Sequence, residues 1–148
     1  MIDQKQSHLH SELTSLIIKS CFEVMNELGA GFLESVYKNA LFLALKQKSI
    51  LIEVEKSFDV HFRGQKIGFY KADLIVQETV IIELKCCKHL LAEHQAQVIN
   101  YLKAANLPVG LLVNFGHKYL EYKRLHHPLL YPAAANDPSN YLATSSSA

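Results

Sequence analysis

An excess of charge of either sign is missing from this chain. Its 148 residues carry 15 Lys and Arg against 14 Asp and Glu, a net charge of +1. The whole-molecule balance therefore gives no pull toward a polyanion. Cysteine is scarce, limited to Cys21, Cys86 and Cys87. An odd count with two neighbours adjacent in sequence makes no disulfide framework, and the expected setting is a reducing cytoplasm. No apolar run approaches the roughly 18 residues a membrane span requires, and MIDQKQSHLH lacks the basic-then-apolar layout of a secretion signal. The densest Cys/His group, Cys86, Cys87, His89 and His94, holds neither C-x-x-C nor H-x₃-H, so no zinc is expected. Phosphate-loop and G-x-S-x-G patterns are absent too.

What is present is an ordinary globular composition, 49% hydrophobic and 20% charged, long enough to bury one core. Leu13, Ile17, Cys21, Met25 and Leu28 recur at helical spacing over 11–28, and Gly29 and Gly31 end that helix. A second helix is expected over 33–46. Alternation over 52–62, with Ile52, Val54, Phe58, Val60 and Phe62 on one side, reads as a half-buried strand. RGQK turns into a strand at 67–76, and QET turns into another at 80–86. Helical period returns over 90–106 until the Asn106-Leu107-Pro108 breaker. VGLLVNF (109–115) reads as a strand covered on both faces, parallel to 80–86 across a helical crossover. KYLEYKRL (118–125) adds an edge strand. The order is ααβββαββ, an α/β domain with a mixed sheet flanked by helices. It is assigned to 1–127, and the Pro/Ala/Ser-rich stretch 128–148 is expected to be a loose tail.

The chemistry gathers in KADLIVQETVIIELK (71–85). A three-residue loop at QET sets Val76 opposite Val80 and Asp73 opposite Glu83, with Lys85 on the face of Glu83. Like charges on cross-strand partners repel. Two readings meet that cost: an internal ion pair or bend that lets the carboxylates reach water, or a bound hard cation such as Mg²⁺ or Mn²⁺. Two further groups flank the pair. Glu34 stands in the first turn of a helix after a glycine-rich break, which the helix dipole alone favours. Gln97 and Tyr101 lie four apart on one helical face, a spacing that also suits a solvated glutamine and a packed tyrosine. The basic excess is local: residues 1–84 carry 9 Lys and Arg against 11 Asp and Glu, and residues 85–124 carry 6 against 2.

In order, these pieces are Gly31, Glu34 and Tyr37 of GFLESVY, Asp73 of AD, Glu83 and Lys85 of E-x-K, and Gln97 and Tyr101 of Q-x-x-x-Y. Over about residues 10–125 the chain resembles the GxxExxY family of the PD-(D/E)XK nuclease superfamily, near its RecB-like, QxxxY branch. That resemblance implies a restriction-endonuclease-like core. It implies that Asp73 and Glu83 ligate Mg²⁺ or Mn²⁺ with the Leu84 main-chain carbonyl, and that Glu34 adds a further ligand. Lys85 would orient the attacking water and offset phosphate charge, while Gln97 and Tyr101 would contact the substrate backbone or brace the site. Ala72 replaces the proline of the superfamily's name. Three cysteines are one short of the iron–sulfur cluster of some RecB-like nucleases, so none is expected.

The function implied is metal-dependent hydrolysis of phosphodiester bonds in DNA, before RNA. The alternative is a nuclease-fold binding module that serves as a subunit of a larger complex. The low net charge and the lack of a basic arm point to a homodimer or a protein partner, because grip on DNA rests on several phosphate contacts. No membrane partner is expected.

Overall fold

The Asp3 side chain accepts the Gln6 backbone N–H at 2.7 Å, satisfying one of the donors that a helix start leaves open. In the computed structural model, which describes residues 3–131, helix α1 accordingly runs Gln4–Leu28. The apolar stripe predicts a start near residue 11; the preceding turns are polar and carry no stripe to read. Gly29 ends the helix at φ +70°, its N–H bonded to the Met25 carbonyl. Then follow α2 (Glu34–Gln47), β1 (Ile52–Phe62), β2 (Gln65–Val76), β3 (Val80–Lys85), α3 (Ala92–Ala105), β4 (Val109–Asn114) and β5 (Glu121–His126). This is the predicted order.

The strands form one mixed sheet in the order β1-β2-β3-β4-β5, with β3 and β4 parallel and the other pairs antiparallel. Arg63 and Gly64, both at positive φ, join β1 to β2 in a two-residue turn, the conformation that matches strand twist. Helices α1 and α2 cover one face, where Ile17, Tyr37 and Leu41 pack on Leu74, Ile82 and Leu111. Helix α3 covers the other, setting Val98 and Leu102 against Ile75, Ile81 and Leu112. Each such buried side chain contributes about 1.5–3 kcal/mol. Strand β4 is buried along its whole length, as its unbroken apolar run implies.

Past β5, the N–H groups of Leu130 and Tyr131 both reach the His127 carbonyl. The Tyr131 hydroxyl lies 2.5 Å from His10 Nδ1 on α1. The first residues of the stretch read as tail thus pack on the domain, and 132–148 lie outside the described residues. No helix among the described residues is long and apolar enough to cross a membrane.

Candidate active site

The β2–β3 hairpin takes the predicted register, with Val76 on Val80, Ile75 on Ile81 and Leu74 on Ile82. At the next rung the ladder stops, and side chains replace it. Glu83 Oε1 accepts the Asp73 backbone N–H at 3.2 Å, and Asp73 Oδ2 accepts the Leu84 N–H at 2.8 Å. Each acid thus holds the strand that carries the other. A strand residue's N–H and C=O point to one side, so the Leu84 carbonyl faces the same gap as Asp73. Lys85 follows on the face of Glu83, at the end of β3, where its carbonyl accepts the Phe115 N–H at 2.9 Å.

Glu83 is 6% exposed. Burial, and then the charge of Asp73, push its carboxyl up from an ordinary 4.5 to about 8, against the pull of the Asp73 N–H and Lys85. The pair therefore resists carrying two negative charges at neutral pH. Two carboxylates and a strand carbonyl are hard oxygen donors, and one or two carboxylates are what Mg²⁺ commonly takes from a protein. Among the described residues no three His, Cys, Asp or Glu side chains are gathered closely enough to form a metal cage. The structure unites Asp73 and Glu83 and leaves Glu34 exposed at the rim.

This shift has a checkable sign. With the folded pKa above the unfolded one, the native state binds more protons, so the contribution of Glu83 is full below about pH 4.5 and is lost as pH rises to about 8. Glu83→Gln is expected to stabilise the metal-free protein at pH 9 by on the order of a few kcal/mol, with little change at pH 4. Urea titrations in EDTA at both pH values measure it. Equal stability of the two proteins at pH 9 would show that the Glu83 charge costs nothing there.

The G-x-x-E-x-x-Y stretch is a device for placing Glu34. Gly31 stands at φ +113°, a conformation that glycine tolerates. Tyr37 is fully buried and stacks on Phe115 at 4.7 Å. Its hydroxyl donates to the Gly29 carbonyl at 2.5 Å and accepts the Phe32 N–H at 3.2 Å. The turn before α2 is thereby tied down, and Glu34 opens the helix beside the pair. Burial and then Asp73 raise its pKa, opposed by Lys85, the Cys86 backbone and Lys38.

Lys38, one turn on from Glu34, was not singled out from sequence. It bonds Glu55 at 2.6 Å, and that contact first, with Asp73 and Glu34 behind it, raises its pKa. Glu55 stands at φ +52° where β1 would pair with Asp73, between the rungs Val54–Leu74 and Lys56–Ala72. Asp73 therefore lacks a regular rung on both sides. The i, i+4 spacing of Glu34 and Lys38 was a readable signal; the break at Glu55 was not.

On the α3 side, Tyr101 stacks flat on Tyr70, ring centres 3.8 Å apart, and Tyr70 stacks on Phe58 at 5.3 Å. The Tyr70 hydroxyl donates to the Tyr101 carbonyl at 2.7 Å. Burial, followed by the charge of Glu83, raises the pKa of both phenols. Tyr101 thus stands beside the acidic pair. Gln97 is exposed one turn earlier and makes no side-chain hydrogen bond among the described residues. Beside the stack, between the β1–β2 hairpin and α3, opens a groove of about 630 Å³ lined by His61, Phe69, Asn100 and Lys103 among others.

A frame that sequence reasoning missed fixes the segment after Lys85. Fully buried Asn114 accepts the Cys87 N–H at 3.0 Å and the Gly116 N–H at 2.9 Å, and donates to the Cys87 carbonyl at 2.9 Å. Glu121 accepts the Leu90 N–H and lies 3.4 Å from Asn114 Nδ2. An asparagine within an apolar strand was the available signal, since a buried amide must find partners.

A family model described as the PD-(D/E)XK nuclease superfamily matches residues 11–125. No curated protein matches the chain. Three chains of solved structures do. One is the crystal structure of SSO0001, 21% identical, with alignment over 82% of this chain and 61% of that one at a TM-score of 0.50. At that identity the likeness speaks for the fold alone, and this chain spans less than two thirds of that protein.

Proposed function

Because the chain belongs to the PD-(D/E)XK nuclease superfamily, we propose that it is a deoxyribonuclease of the GxxExxY branch that uses Mg²⁺ or Mn²⁺. The observation that carries this reading is the buried pair of Asp73 and Glu83, each bonded to the other's strand, with Lys85 next on the same face. A divalent cation bound there would supply the charge that activates water and offsets the phosphate. Asp73 and Glu83 would hold it, with the Leu84 carbonyl beside them, and Glu34, at the rim, would join through a water. Lys85 presents its ammonium to the charge that develops on the phosphate oxygens, the kind of charge donor an active site uses to stabilise a transition state. Tyr70 and Tyr101, whose raised pKa values keep the phenols neutral even in alkaline solution, wall the site without adding a third anion. The groove beside them pairs aromatic faces with Lys103, a combination suited to bases and phosphates. Gln97, exposed at the same helix, is free to meet the strand's backbone.

The test is cleavage of end-labelled single- and double-stranded DNA by purified protein in Mg²⁺ or Mn²⁺, with EDTA in parallel. Metal-dependent cutting that EDTA stops is the expected result, and product lengths then separate exonuclease from endonuclease action. Should nothing be cut while calorimetry still records Mn²⁺ binding, the deoxyribonuclease reading gives way to the binding module.

A further inference from the structure

Far from the acidic pair, a second polar cavity holds an arginine and no acid. It has a volume of about 170 Å³ and lies between the first turns of α1 and the far end of the sheet. Its wall includes Ser7, His10, Ser11, Arg124, His126 and Tyr131, without any Asp or Glu. Arg124 pairs with Leu111 and His126 with Val109, both of the core that faces α1, and cross-strand partners share a face. Lys85, by contrast, pairs with Asn114. Val109 is five residues back along β4, about 16 Å at ~3.3 Å per residue.

Two polar atoms in this wall are buried without a hydrogen-bond partner among the described residues, Arg124 Nε and His126 Nδ1. Guanidinium cannot shed its proton, and its buried Nε–H is costly to leave without an acceptor. Burial first, then Arg124 and His10, lowers the His126 pKa to about 4, so its ring is neutral at pH 7 and offers an N–H without adding charge. Tyr131 and His10 already bond each other, which sets both groups at the cavity's edge. A cation is disfavoured by Arg124, and the volume is below the ~300 Å³ at which sites for drug-sized ligands begin. What fits is a compact acceptor with negative charge.

We propose that this cavity is a binding site for a small tetrahedral oxyanion, inorganic phosphate, held by the Arg124 guanidinium with His126, His10 and the neighbouring serine hydroxyls. The site is independent of the acidic pair and needs no metal.

The experiment is NMR of the isotope-labelled full chain in EDTA, with phosphate titrated against chloride at constant ionic strength. The Arg124 Nε–H and the His126 ring signals are expected to move and saturate together. Arg124→Met is expected to weaken binding by roughly tenfold or more, and Lys66→Ala, on the exposed β1–β2 hairpin, to leave it unchanged. If Arg124→Met does not fold, Ser11→Ala, expected to weaken binding several-fold, replaces it, and the wild-type Arg124 signal stands on its own. Arg124 and His126 signals that stay still, or that drift without saturating, overturn the proposal. So does a folded Arg124→Met protein that binds phosphate as the wild type does.

Discussion

Asp73→Asn is expected to abolish DNA cleavage and to remove high-affinity Mn²⁺ binding, while leaving the protein folded. The amide oxygen of asparagine still accepts the Leu84 N–H that Asp73 takes at 2.8 Å, so the hairpin keeps its end. What disappears is one negative charge of the pair, and with it the reason for a cation to settle there. Lys85→Ala is expected to separate the two roles: Mn²⁺ still binds, and the cleavage rate falls by roughly 10²–10³-fold, the usual loss when one preorganised charge donor is removed. Calorimetry and single-turnover cleavage, run on both variants, measure these effects. If both cut like the wild type, the site is elsewhere.

The second large effect concerns a residue that touches no substrate. A Cβ at Gly116 would lie 2.4 Å from the Cys87 nitrogen, 2.5 Å from the Cys86 carbonyl carbon and 2.6 Å from the Cys87 oxygen. Those are backbone atoms held by Asn114, so they cannot swing aside as a side-chain tip would. Gly116→Ala is expected to destabilise the fold by about 1–3 kcal/mol, the usual cost of overpacking, and to displace the segment that follows Lys85. Urea unfolding measures the first effect. The second appears as a lower cleavage rate in protein still fully folded at the assay temperature. Unchanged stability and unchanged cleavage together would mean that the loop gives way at no cost.

Much of the architecture was legible because it rests on period and punctuation. Alternation over 52–62 and the unbroken run at 109–115 gave two strands their type, and the three-residue QET loop fixed the register that brings Asp73 toward Glu83. The first turns of α1 were illegible because Asp3 caps a polar stretch. Local period also says nothing about backbone irregularity. Alternation predicts a regular rung between Asp73 and Glu83, whereas the carboxylates there bond the backbone instead. Asn114 was hidden in a run read as purely apolar, and Lys38 acquires its place only when α2 and β1 meet. The Tyr70–Tyr101 stack likewise joins residues 31 apart in sequence, beyond the reach of any helix or strand template.

The interruption of β1 bears on self-association. β1 is one of the two outer strands of the sheet, and an outer strand normally tempts another chain to extend the ladder. Here the backbone turns left-handed at Glu55, and Glu53, Glu55, Lys56 and Asp59 line the strand with charge of both signs. A neighbouring molecule laid against it would meet a broken hydrogen-bond rhythm and charges to desolvate. The irregularity that keeps Asp73 out of the ladder therefore also makes this border a poor template for runaway strand stacking.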